Sequence, residues 1–88
     1  MTDFQLHDGT YLDRGQEYEM NILQGRVRMK IFKLDSRKEK IYFYVYEPTT
    51  VVTRDLSWQE FNLAYQRDMI RPYDPLHVIK RLPPHKFL

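Results

Sequence analysis

The sequence predicts a mainly β, α+β fold: a small antiparallel sheet with one helix in its second half. Three observations carry this. Between residues 17 and 46 apolar and polar side chains alternate with a period of two in successive stretches. Gly9, Gly15, Gly25 and Pro48 break the first half into short pieces, which favours strands over helices. After Ser57 the spacing of apolar residues changes to that of a helix.

Glu17 to Leu23 is the first strand, with Tyr18, Met20 and Ile22 on one face and Glu17, Glu19 and Asn21 on the other. Gln24-Gly25 suits a two-residue hairpin loop, the glycine supplying a positive φ. Arg26 to Leu34 alternates again, with Val27, Met29 and Ile31 opposing Arg28 and Lys30. Residues 35–39 form a polar link. Lys40 to Tyr46 is the third strand, ended by Pro48, and the β-branched run from Thr49 to Thr53 is a short fourth.

Ser57 with Glu60 three residues on is a capping box, and Leu56 is placed to staple onto Phe61. Trp58, Phe61, Tyr65 and Met69 then share a helix face, and Pro72 predicts a helix end near Ile70 or Arg71. Residues 72–75 read as a turn, and Leu76 to Leu82 as a last strand before Pro83-Pro84.

The strand pattern can be tested for mutual consistency, because a one-residue slip flips every side chain to the other face. With Gln24-Gly25 as the loop, Ile22 faces Val27, Met20 faces Met29 and Tyr18 faces Ile31, while Glu19 lies opposite Lys30 and Asn21 opposite Arg28. Burying one face of the next hairpin sets Met29 against Val45 and Ile31 against Phe43. Lys30 then opposes Tyr44, Arg28 opposes Tyr46, and Phe32 opposes Tyr42. Arg28, Lys30, Phe32, Tyr42, Tyr44 and Tyr46 therefore share a face. Two readings of it stand side by side. Cations that neutralise phosphates, interleaved with rings that stack on bases, make a nucleic-acid platform. Alternatively the tyrosines are a second core beneath Trp58, Phe61 and Tyr65, since cross-strand aromatic pairs stabilise sheets without any ligand.

The 88 residues allow one domain, a folded core over 1–82 with a basic, aromatic tail over 83–88. A chain of this size buries only about 60–65% of its unfolded surface, so its stability is modest or shared with a partner. A hydrophobic content of 42% with 15% aromatics argues for a packed core rather than disorder. With no cysteine, disulfides and thiolate metal sites are excluded, in keeping with a reducing, cytoplasmic setting. The start carries neither the basic nor the apolar region of a secretory leader, and no stretch approaches the length of a membrane span.

Net charge is +2 but uneven: residues 26–46 hold seven bases and two acids, whereas residues 1–25 hold one base and five acids. Such a segment is either ordinary solvated surface or a surface for a polyanion or an acidic partner.

Catalytic groupings are missing from the pattern. His7, His77 and His85 are scattered, Ser57 is spent as a cap, Ser36 lies in a charged turn, and Asp13-Arg14-Gly15-Gln16 is an ordinary turn rather than a phosphate loop. No enzyme activity, cofactor or metal is expected.

At fold level the pattern resembles small SH3-like, partly open barrels. That likeness implies nucleic-acid binding, peptide binding or assembly without choosing between them. The expectation is a small non-enzymatic binding module for nucleic acid, with Arg26, Arg28, Lys30, Tyr42, Tyr44 and Tyr46 as contact residues and Lys80 and Arg81 assisting. The alternative is a protein-interaction or oligomerisation module, an accessory or adaptor protein acting through a sheet edge, the helix or the C-terminal tail.

Overall fold

The computed structural model describes residues 3–23, 25–47 and 49–73. Among these residues five antiparallel strands form one open sheet in the order β4-β3-β2-β1-β5, with one helix. These are β1 (Glu17–Ile22), β2 (Gly25–Asp35), β3 (Lys40–Glu47), β4 (Thr50–Ser57), α1 (Trp58–Gln66) and β5 (Ile70–Pro72). The first four form a meander. The chain then passes through α1 and sets β5 on the free side of β1, with Tyr18 opposite Pro72 and Met20 opposite Ile70.

The core lies on one face of this sheet. Met29, Ile31, Ile41, Phe43, Phe61 and Ile70 are fully buried there, each such side chain contributing about 2 kcal/mol by leaving water. Phe61 meets Tyr18 edge to face at 5.5 Å, and Leu56, Trp58, Ala64 and Tyr65 pack around the same cluster. Burial raises the Tyr18 hydroxyl to about 12.

Residues 3–16 complete the cover without forming a strand. Phe4, Leu6 and Leu12 are buried, Gln5 and Tyr11 form an isolated bridge, and the Trp58 indole donates to the Gln5 carbonyl at 3.0 Å. Farther along the helix the Tyr65 hydroxyl donates to Asp8 at 2.8 Å.

The β2–β3 register is as expected: Met29 faces Val45, Ile31 faces Phe43, Lys30 faces Tyr44 and Arg28 faces Tyr46. Phe32 departs from it. The ladder shifts between Ile31 and Lys33, so Lys33, not Phe32, lies opposite Tyr42, and Leu34 lies opposite Ile41. Unbroken alternation would drive Lys33 onto the core face. One extra residue in β2 sends it out and brings Leu34 in.

The β1–β2 register differs from the expected one by two residues. Pairing closes at Ile22 and Gly25, so Met20 faces Val27 and Tyr18 faces Met29. Both registers bury the same faces because they differ by a full side-chain period, so hydrophobic pattern alone does not separate them. Gly25, at φ 129°, opens β2 rather than sitting within the loop, and Leu23 is fully exposed. At the other end Gly15 N–H donates to the Ile31 carbonyl and Ile31 N–H to that of Gln16. Two residues thus oppose one, with the glycine at φ 89° as this bulge requires. Glu19 consequently faces Arg28, and Lys30 faces Glu17.

The capping box is present: Glu60 N–H donates to Ser57 Oγ and Ser57 N–H to the Glu60 carboxylate, both at 3.0 Å. β4 runs straight into this cap, four residues beyond the expected Thr53. The helix ends at Gln66, short of Ile70 and well before Pro72. Met69 N–H bonds the Ala64 carbonyl and Asp68 N–H that of Tyr65, with Asp68 left-handed at φ 59°. This is a Schellman closure with aspartate in the place glycine usually takes. Met69 therefore lies beyond the helix and is exposed, and residues 70–72 are strand rather than the start of a turn. The expected strand over 76–82, the tail and Pro48 lie outside the described residues.

Candidate nucleic-acid interface

The side of the sheet that α1 covers decides what the tyrosine face is. Phe61, Ala64 and Tyr65 join the cluster of Ile41, Phe43 and Val45, and Tyr42, Tyr44 and Tyr46 point the other way. The tyrosines are thus no second core under Trp58 and Phe61. Tyr44 is exposed, and Tyr42 and Tyr46 are partly so.

Cross-strand pairing brings the expected residues into rows on this outer face. One row runs Arg71, Glu19, Arg28, Tyr46 and Val51 across β5 to β4, and the next runs Glu17, Lys30, Tyr44 and Thr53. The Arg28 guanidinium lies 4.5 Å from the Tyr46 ring centre and 5.5 Å from that of Tyr73. Phe32, displaced into the bulge, stacks on Tyr44 at 4.4 Å with 26° between the planes. Lys33 sits 5.3 Å above Tyr42.

The cations are not equally free. Glu19 is buried between Arg26 at 3.9 Å and Arg71 at 3.6 Å, so part of Arg26's charge is spent within the protein. Lys40 is bound to Asp55 at 2.9 Å, and that hydrogen bond raises its pKa. Arg28, Lys30 and Lys33 have no carboxylate within ion-pair distance among the described residues. Guanidinium stacked on a ring keeps its N–H edge for a planar anion, so aromatic contact orders Arg28 without consuming its donors.

Beside these rows the Asp13-Arg14-Gly15 turn stands over the sheet, held by the bonds of Gly15 and Gln16 to Ile31. It closes an open pocket of about 560 Å³ whose other walls are Lys30, Ile31, Phe32, Tyr44 and Tyr46. Among the described residues no three His, Asp or Glu side chains gather as metal ligands, and no helix is long and apolar enough to cross a membrane.

The expected Arg28, Lys30, Tyr42, Tyr44 and Tyr46 therefore come together, Arg26 borders them, and Lys80 and Arg81 lie outside the described residues. Sequence reasoning left out Arg14, Lys33 and Tyr73. Lys33 had a signal, because a lysine on the apolar phase of β2 marks a bulge. Arg14 and Tyr73 had none, since only the folded chain brings them to this face. No family model, curated protein or solved structure matches the chain.

Proposed function

We propose that the chain is a small non-enzymatic binding module that takes a nucleic-acid strand on the outer face of its sheet, in a reducing, cytoplasmic setting. What supports this reading above all is a cation–aromatic face turned away from the helix, with Arg28 close to the rings of Tyr46 and Tyr73 and no carboxylate within ion-pair distance of it among the described residues. Arg28 and Lys30 meet phosphates, Arg26 adds charge at the border, and Tyr44 and Tyr46 offer stacking surface worth about 1–3 kcal/mol per base. By sequence, Lys80 and Arg81 bring two more cations after β5.

The test is binding to mixed single- and double-stranded oligonucleotides at two salt concentrations. Micromolar or tighter affinity that falls as salt rises is expected. Absence of binding at low salt overturns the proposal.

A second reading, a protein-interaction or oligomerisation module, is favoured by β4. Among the described residues it is an edge strand, with Val51 exposed and two β-branched pairs at Thr50–Thr53, a template for another strand. Light scattering coupled to size exclusion gives a dimer if that edge pairs with a second copy and a monomer if it does not.

A further inference from the structure

We propose that the pocket between the Asp13-Arg14-Gly15 turn and the Tyr44–Tyr46 row seats one unpaired guanine of the bound strand. This rests on the nucleic-acid reading above and names the base it prefers.

The pocket's size and walls set the class of ligand. About 560 Å³ is room for a nucleotide and falls within the range of small-molecule sites. Stacked duplex bases cannot enter a pocket on a sheet face, whereas a splayed single-strand base can. Phe32 and Tyr44, stacked on each other, give the pocket an aromatic wall.

Donors and acceptors set the base. Asp13 is acceptor-only when ionised. Its Oδ1 takes the Arg14 N–H at 2.7 Å, and no hydrogen bond within the described residues uses its Oδ2. Lys30 and Arg14, on the same walls, only donate. Guanine offers two adjacent donors, N1–H and the N2 amino group, on one edge, and two acceptors, O6 and N7, on another. That pattern complements a carboxylate flanked by cations. Thymine and uracil present a lone N3–H between carbonyls and place an oxygen against the carboxylate. Adenine and cytosine offer a single amino group.

The experiment uses the full chain and labelled thymidine oligonucleotides of about 12 residues, a length suited to small single-strand binders. One set carries a single central guanine, adenine or cytosine. Guanine is expected to tighten binding about tenfold over all-thymidine, toward the low end for one bidentate base contact. Asp13→Asn keeps the side-chain oxygen that caps Arg14 N–H, so the turn stays intact, with an unchanged melting temperature as the check. It should abolish the guanine preference, so that guanine-containing and all-thymidine strands bind the variant with equal affinity.

Binding to all-thymidine with no gain from guanine, or a gain that survives in Asp13→Asn, overturns this inference while leaving the proposed function standing. Loss of all binding at low salt overturns both.

Discussion

Arg28 shows how one residue's surroundings set what it can do. Among the described residues its guanidinium meets the Tyr46 and Tyr73 rings rather than a carboxylate, so much of the conformational entropy of a long cation is already lost before a ligand arrives. Lysine keeps the charge but neither the planar fork nor the stacking. Arg28→Lys should weaken oligonucleotide binding about fivefold. Arg28→Ala should weaken it at least tenfold and lower the salt slope by about one. Fluorescence anisotropy titrations over a salt series check both.

Asp8 makes the opposite use of charge. The Thr10 N–H and the Tyr65 hydroxyl hold its carboxyl down to about 2. A carboxylate depressed on folding adds stability that is complete above its ordinary value of 3.8 and is lost as pH falls towards 2. Asp8→Asn should therefore be less stable than the parent near neutral pH, with the gap narrowing across that window. Urea midpoints at several pH values measure it.

At the scale of elements, α1 is defined by its two ends. Its nine residues are too few to be helical alone in water, so caps and packing must hold it. Ser57→Ala removes the oxygen that accepts from Glu60 N–H and should cost about 1 kcal/mol. Asp68→Gly should work in the other direction. Glycine takes the left-handed C′ position without a Cβ penalty, and the ion pair it forfeits, Asp68 with Arg71 at 3.8 Å, is exposed and weak. A gain of about 0.5 kcal/mol is expected. Both appear as shifts in the urea midpoint at constant slope. The Ile31–Lys33 bulge in β2 is an element-scale device as well. It keeps Lys33 out of the core, and it places Phe32 against Tyr44, where it walls the pocket.

At the scale of the whole molecule, the sheet separates the packed face from the face proposed for binding. Phe61 is completely buried at the centre of the covered side. Phe61→Ala should cost about 3–5 kcal/mol, a large share of a total stability of order 5–15. Tyr44→Ala, on the open side, should leave the melting temperature within a few degrees of the parent and still reduce oligonucleotide affinity. Circular dichroism melts and binding titrations on the two variants distinguish the roles. Equal destabilisation by both would mean that the outer face is structural.

Much of this arrangement was legible in the residues. Alternation in 27–31 and 41–45 determined which face of the meander is buried and aligned β2 with β3, since a single-residue slip would expose Met29, Phe43 and Val45 together. Ser57 and Glu60 determined the start of the helix, because a capping box is local chemistry. The tertiary structure decided what local patterns leave degenerate. A two-residue change of register preserves every face, so the choice of Gly25 over Val27 as partner of Ile22 needed the bulge at Gly15 and the rest of the sheet. The helix end depended on an aspartate in a left-handed position that sequence assigns to glycine. Above all, an amphipathic helix states that it has an apolar side, not which side of a sheet it will cover. Packing Phe61 on the Met29 and Phe43 face, with residues 3–16 closing over it, is a long-range contact between segments distant in sequence, and it left the arginine and tyrosine rows on the face opposite the helix.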